Sequence, residues 1–107
     1  MRISLLLACA GAALLAGCVS NRPVEGVVRA TGEKFTGVAT GSLDSAGSVE
    51  IVSQQTTCRG TFSNPTGAEA MGTFTCKDGR SGPFRFSPRD RSGTARLGAQ
   101  AFIFTFS

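Results

Sequence analysis

Three side-chain types are missing from this sequence: histidine, tryptophan and tyrosine. Without histidine, the chain cannot form a serine–histidine–aspartate triad or a histidine-based metal site. Without tryptophan and tyrosine, it lacks the usual anchors of protein-binding hot spots. None of its glycine-rich turns has the spacing of glycines and lysine that a phosphate-binding loop requires before a helix. These absences predict a protein that is not an enzyme and that uses no metal or other cofactor.

The N-terminus has the composition of a bacterial signal peptide. Arg2 supplies a positive charge, and the run rich in leucine and alanine from Ile3 to Leu15 is too short to span a membrane. The run ends in Leu15-Ala16-Gly17-Cys18, which resembles the lipobox of bacterial lipoproteins: an aliphatic residue, two small residues and a cysteine. This resemblance implies cleavage between Gly17 and Cys18 and a diacylglyceryl group on the Cys18 thiol.

The lipobox resemblance also implies where the protein resides. Two acyl chains anchor a protein stably, whereas one is marginal, so the membrane is the expected partner. An uncleaved apolar helix or an ordinary secretory signal is the alternative, although ordinary signals prefer a small-x-small cleavage pattern. Val19 replaces the aspartate that retains many enterobacterial lipoproteins in the inner membrane. We therefore expect an outer-membrane protein that faces the periplasm, where nucleic acid is not an expected partner.

The four cysteines divide into two groups. Cys9 leaves with the signal peptide and Cys18 is the expected lipidation site, which leaves Cys58 and Cys76. Two cysteines in an oxidising compartment usually pair, and this bridge would contribute about 3 kcal/mol by constraining the unfolded chain. A reactive thiol or a metal-binding pair is the alternative, and no histidine is present to support either role.

The expected domain organisation is simple: a signal peptide over 1–17, a flexible lipidated tether over 18–30 and one β domain over 31–107. The tether is polar and contains Pro23. From Thr31 onward the sequence consists of short β-prone runs separated by glycine, with no sustained helical period. The chain is long enough for a single domain with a small core.

Alternation of apolar residues predicts the strands. The clearest example is Phe102, Phe104 and Phe106, which alternate with smaller or polar residues at a period of two. By the same parity Phe84 shares a face with Phe86, Phe74 with Cys76, and Cys58 with Phe62. The predicted strands lie near 33–41, 47–54, 57–62, 70–76, 82–87, 93–98 and 101–106.

Tight turns separate these strands, and Asp78-Gly79 is the strongest turn signal, typical of a type I′ hairpin with positive φ at both central residues. The sequence therefore predicts an all-β domain, an antiparallel meander of about seven short strands. Such a meander buries its apolar face by closing into a small barrel or by folding over as a sandwich.

Two resemblances accompany this prediction. Gly60-Thr61-Phe62 is echoed by Gly72-Thr73-Phe74, and this glycine-and-aromatic pattern resembles the hairpin repeats of MORN proteins, although tyrosine and regular spacing are absent. Most of the mature chain also resembles short glycine-rich lipoproteins of unknown function from proteobacteria. Both resemblances imply hairpins, and neither implies an activity.

Charge supplies one functional hypothesis. The chain carries eleven lysines and arginines against seven acids, a net charge of +4, and its C-terminal third is clearly basic. If two neighbouring turns place Arg80, Arg89 and Arg91 together at one end of the domain, that end would attract anionic envelope components such as lipid headgroups, lipopolysaccharide phosphates or acidic polymer. The alternative is that these charges only maintain solubility. The candidate anion-binding residues are Lys77, Arg80, Arg85, Arg89 and Arg91, with Arg96 in the same basic segment.

Three functions of different classes follow. The first is a membrane-anchored envelope lipoprotein with a structural or interaction role. The second is a periplasmic inhibitor or an anionic-ligand-binding β-barrel module; small disulfide-containing β-barrel lipoproteins include lysozyme inhibitors, but those inhibitors face a basic enzyme and this domain is itself basic. The third is a hydrolase that uses two acids, which requires a cleft with two facing carboxylates. The acids available are Glu25, Glu33, Asp44, Glu50, Glu69, Asp78 and Asp90.

Overall fold

The computed structural model describes residues 20–107, which form a closed barrel of eight antiparallel strands. Each strand pairs with the next along the chain, and β8 pairs with β1 to close the sheet. The predicted all-β meander is confirmed, and its form is the barrel. The strands are β1 (Ser20–Val28), β2 (Lys34–Ser42), β3 (Ala46–Val52), β4 (Thr57–Ser63), β5 (Ala70–Cys76), β6 (Ser81–Ser87), β7 (Ser92–Leu97) and β8 (Gln100–Phe106).

The signal peptide, the cleavage site at Gly17 and the lipidation site at Cys18 lie outside the described residues. Within residues 20–107, no helix is long and apolar enough to cross a membrane. The seven predicted strands correspond to β2 through β8, each within two residues at either end.

The flexible tether expected over 18–30 is wrong for most of its length, because Ser20–Val28 is strand β1. This strand pairs with β2 along residues 20–27 and with β8 along residues 24–28. Its inward positions are Val24, Gly26 and Val28, so a glycine interrupts the apolar alternation that marks the other strands. Pro23 is compatible with the strand because it lies where β8 ends, and its carbonyl accepts a hydrogen bond from the Ser107 N–H at 3.0 Å.

The barrel interior is filled by aromatic side chains. All eight phenylalanines of the chain are buried, and their rings form a continuous series of contacts. Phe74 lies 4.3 Å from Phe84 between ring centroids, and Phe86 lies 4.8 Å from Phe106. An eight-stranded barrel is just wide enough for side chains to fill it or for one small ligand. Here the side chains fill it.

Inward-facing glycines provide the space for these rings. A β-carbon at Gly72 would lie 2.6 Å from Cζ of Phe84, and one at Gly26 would lie 2.4 Å from Cζ of Phe102. A large inward residue on one strand therefore lies over a glycine on another, which explains why this domain contains so many glycines within its strands.

The expected disulfide between Cys58 and Cys76 is present. The two cysteines lie directly opposite each other on β4 and β5, and both side chains point into the barrel. Their strands are joined by the longest connection of the barrel, residues 64–69, so the bridge holds the hairpin together at the end away from that loop.

The Asp78-Gly79 hairpin is confirmed, but its predicted type I′ geometry is wrong. Only Gly79 has a positive φ, at 98°. The Gly79 N–H donates to the Cys76 carbonyl at 3.1 Å, and the Cys76 N–H donates to the Arg80 carbonyl at 2.8 Å. The turn closed by the hydrogen bond between Cys76 and Arg80 therefore has three residues, Lys77 to Gly79, and needs a left-handed conformation only at Gly79.

The connections lie at two ends of the barrel, because successive turns of an antiparallel meander alternate. The Ser20 end contains the start of β1 and the connections 43–45, 64–69 and 88–91. The Arg80 end contains the connections 29–33, 53–56, 77–80 and 98–99.

Candidate anion-binding surfaces

The basic residues do not gather at one end of the barrel, so that part of the prediction is wrong. Arg80 follows β5, whereas Arg89 and Arg91 follow β6. Because consecutive hairpin turns lie at opposite ends, Arg80 belongs to the Arg80 end and the other two belong to the Ser20 end. A single cluster of these three arginines is topologically impossible.

Arg80 is an internal component of its end of the barrel. Its Nη1 and Nη2 atoms donate to the two carboxylate oxygens of Glu33 at 2.8 and 2.9 Å. Nη1 also donates to Gln100, and Nε donates to Asp78 at 3.0 Å. The guanidinium lies 6.0 Å from the ring centroid of Phe35. With its side chain only 19% exposed and its donors engaged, Arg80 seals the barrel and is not available to an outside anion.

The charges of this network stabilise one another. Hydrogen bonds from Arg80 lower the pKa of Glu33 despite the opposing effect of burial, and Ser53 contributes a further hydrogen bond of 2.7 Å. The Arg80 backbone N–H lowers the pKa of Asp78, and the bonds to Glu33 raise the pKa of Arg80. Sequence reasoning did not connect Glu33 with Arg80, because the two lie in different loops and only barrel closure brings them together.

Arg85 and Arg96 lie on the outer wall formed by β5 to β8. Arg85 is opposite Met71 on β5 and Thr94 on β7, and Thr94 is opposite Ile103 on β8. Because adjacent strands lie about 4.8 Å apart, these side chains form a row about 14 Å long across the wall. Met71 and Ile103 are 55% and 38% exposed, which is unusual for large apolar side chains in this domain.

A shallow depression of about 450 Å³ lies on this wall. Among the described residues, Arg96 has no carboxylate within 4.0 Å, and Arg85 has only Glu69 at 3.9 Å with both side chains exposed. We call this surface the basic wall. Its outward-facing lining residues are Met71, Pro83, Arg85, Thr94, Arg96 and Ala101.

The remaining candidates are exposed and lie elsewhere. Lys77 is at the Arg80 end, and Arg89 is at the tip of the connection 88–91. Arg91 has a left-handed backbone, with φ at 55°, and lines a second depression of about 330 Å³ at the Ser20 end. That depression is also lined by Arg22, which the sequence did not single out, and by Asp44, which the sequence suggested only as a candidate acid of a hydrolase.

Elsewhere on the outer surface, Arg59 is paired with a carboxylate. On the wall opposite the basic wall, Arg59 donates to Glu50 at 2.9 Å, with both side chains largely solvated. Within residues 20–107, no group of three or more acids, cysteines or histidines is arranged to hold a metal ion. The basic wall and the Ser20-end depression are therefore two concave surfaces on which the described part of the chain presents arginines without a close carboxylate partner, the contact of Arg85 with Glu69 being a long one of 3.9 Å.

Comparisons of the chain with protein-family models, with curated proteins and with solved structures found no match.

Proposed function

We propose that this chain is a lipid-anchored cell-envelope protein without catalytic activity, which binds anionic envelope components through its basic wall. The anchor is the lipid on Cys18 that the lipobox resemblance implies. The observation that carries the binding role is the depression between Arg85 and Arg96, which two arginines line and no carboxylate does.

The filled interior supports a role for the outer surface. Phenylalanine rings occupy the space in which a ligand-carrying barrel of this size holds its cargo. A filled barrel with a disulfide is suited to presenting a fixed surface, since its backbone is already ordered before a ligand binds.

The composition of the basic wall favours an anion with an apolar part. Arginine binds phosphate and carboxylate groups through paired N–H donors, while Met71, Pro83 and Ala101 provide apolar contacts in the same depression. Lipopolysaccharide and other acidic amphiphiles have this combination. An inhibitor role directed at a basic enzyme is disfavoured because the proposed contact surface is itself basic.

The two-acid hydrolase is also disfavoured. Glu33 and Asp78 share Arg80 as a partner, and both have lowered pKa values. A general acid needs a raised pKa so that it holds a proton near neutral pH. These two carboxylates are committed to an ion-pair network that seals the barrel.

Charge reversal on the wall tests this proposal. Lipidated protein in phosphatidylcholine nanodiscs would be titrated with fluorescent lipopolysaccharide and, separately, with polyglutamate. We expect the double variant Arg85→Glu with Arg96→Glu to bind at least one probe about tenfold more weakly than wild type, since two favourable charge contacts become unfavourable.

The matched control is a charge reversal on the side of the barrel opposite the basic wall. Lys34 is exposed on β2, and β2 lies four strands from β6 in either direction around the barrel. Lys34→Glu should leave binding of the same probe within about twofold, because local contacts and not net charge determine affinity. Equal weakening by Lys34→Glu and by the double variant would contradict a specific wall, and so would wild-type protein that binds neither probe.

A further inference from the structure

The proposed lipid anchor, Cys18, is separated in sequence from the first strand of the barrel by a single residue. β1 begins at Ser20, whose hydroxyl donates to the Gly41 carbonyl at 3.1 Å. Only Val19 stands between Cys18 and Ser20 in the sequence, and two residues of chain reach at most about 7 Å. If Cys18 carries the lipid, as the proposed function requires, the Ser20 end of the barrel must lie at the level of the phospholipid headgroups.

The depression at this end contains both signs of charge. Arg22, Arg91 and Asp44 line it together with Ser20 and Ser42. Among residues 20–107, neither Arg91 nor Asp44 has an oppositely charged partner within 4.0 Å, and Arg22 makes only a long hydrogen bond of 3.4 Å from Nη1 to the main-chain oxygen of Ser107. These charges line one concavity but do not neutralise one another.

This arrangement complements a zwitterion. The N–H groups of the two guanidinium groups can donate hydrogen bonds to the oxygens of a phosphate diester. The Asp44 carboxylate can accept hydrogen bonds from a primary ammonium group. A purely anionic headgroup would leave Asp44 facing negative charge. A choline headgroup has a quaternary nitrogen without N–H donors. Phosphoethanolamine has both a phosphate for the two arginines and a primary ammonium group for Asp44.

We propose that the depression lined by Arg22, Asp44 and Arg91 binds the headgroup of a phosphatidylethanolamine molecule in the anchoring bilayer. The bound headgroup and the lipid on Cys18 together hold the barrel upright, with the Ser20 end on the membrane and the Arg80 end about 18 Å farther away, the height of seven tilted strand residues. The basic wall then stands perpendicular to the bilayer.

Orientation on vesicles tests this proposal. The lipidated chain would carry a fluorophore on a cysteine at either of two exposed alanines, Ala46 at the Ser20 end or Ala99 at the Arg80 end. The label is specific because Cys58 and Cys76 are bridged. A quencher on lipid headgroups should quench Ala46→Cys at least threefold more strongly than Ala99→Cys in phosphatidylethanolamine vesicles.

The lipid dependence identifies the headgroup. We expect this difference to be larger with phosphatidylethanolamine than with phosphatidylcholine or phosphatidylglycerol, whereas a surface that is merely basic would prefer phosphatidylglycerol. Asp44→Asn should abolish the preference for ethanolamine over choline. Arg22→Gln with Arg91→Gln should abolish the preference for any lipid. Arg89→Gln, in the same connection but outside the depression, should change nothing.

Each outcome decides a different claim. Stronger orientation in phosphatidylglycerol, or equal orientation in all three lipids for wild type, overturns the headgroup site. Intact mass of the same samples reports acylation of Cys18 separately, so failure of the anchor is distinguished from failure of the site. Far-UV circular dichroism of each variant confirms that a lost preference does not come from unfolding.

Discussion

The ring of Phe102 lies over the α-carbon of Gly26, so that a β-carbon added to this glycine would stand 2.4 Å from Cζ of the ring. Gly26 is on β1 and Phe102 is on β8, the two strands whose pairing closes the barrel. The packing of β1 against β8 therefore requires a residue without a β-carbon at position 26. Closure depends on this glycine as directly as on the phenylalanine that occupies its space.

Gly26→Ala tests that dependence. We expect the substitution to lower the free energy of unfolding by about 1–3 kcal/mol, because the added methyl group must displace Phe102 or separate β1 from β8. Urea denaturation measures the change. Glu25→Ala, at the neighbouring outward position, should change stability by no more than about 0.5 kcal/mol. Equal stability of Gly26→Ala and wild type would contradict the packing of this seam.

Arg80→Gln tests the network that seals the Arg80 end. The substitution leaves the Glu33 side chain, 7% exposed, without its ionic partner. We expect a loss of about 2–3 kcal/mol in unfolding free energy, because removing one partner strands a largely buried charge. The control is Arg59→Gln, which breaks a solvated ion pair and should cost less than about 1 kcal/mol. Similar losses in both variants would show that Arg80 is an ordinary surface arginine.

The same network predicts a pH dependence. Because the pKa of Glu33 is lowered in the folded protein from its ordinary value of 4.5, its contribution is fully present above about pH 4.5. The contribution is lost as pH falls below that value and through the folded pKa. Urea midpoints measured between pH 6 and pH 3 should therefore fall less steeply for Arg80→Gln than for wild type. A parallel fall in the two proteins would contradict the assignment.

Reduction of the Cys58–Cys76 bridge should lower the free energy of unfolding by about 3 kcal/mol, because the unfolded chain loses a constraint. Both cysteines are at least 95% buried, so we expect alkylation after addition of reductant to be slow in buffer and fast in urea. Mass spectrometry counts the alkylated thiols over time. Rapid alkylation in buffer would show that the bridge is accessible in the native barrel.

Much of the fold could be predicted from the sequence because phenylalanine occupies inward positions on five of the eight strands. The alternation of Phe102, Phe104 and Phe106 specifies both the extent of β8 and the face that it buries. β1 could not be recognised in this way, since its central inward residue is Gly26 and its outward residues include Pro23. From the sequence, an inward-facing glycine can be recognised as the packing site of a phenylalanine ring only when the strand that carries this phenylalanine is known.

The candidate site was less predictable for topological reasons. Arg80 and Arg91 are close in sequence, but one strand, β6, separates them, so they lie at opposite ends of the barrel. Conversely, Glu33 and Arg80 are far apart in sequence and form a double hydrogen bond. Counting the turns along the predicted meander would have placed Arg80 and Arg91 at opposite ends. The contact between Arg80 and Glu33 could be predicted only with knowledge that the sheet closes into a barrel.

The central claim is that a filled barrel begins almost directly after a lipid-modified Cys18. Intact mass spectrometry of membrane-extracted protein, alkylated with and without prior reduction, tests it most directly. We predict the mass of residues 18–107 with acyl chains, without alkylation until reduction and with two alkylated thiols afterwards. An unacylated mass, or thiols that react before reduction, would contradict it.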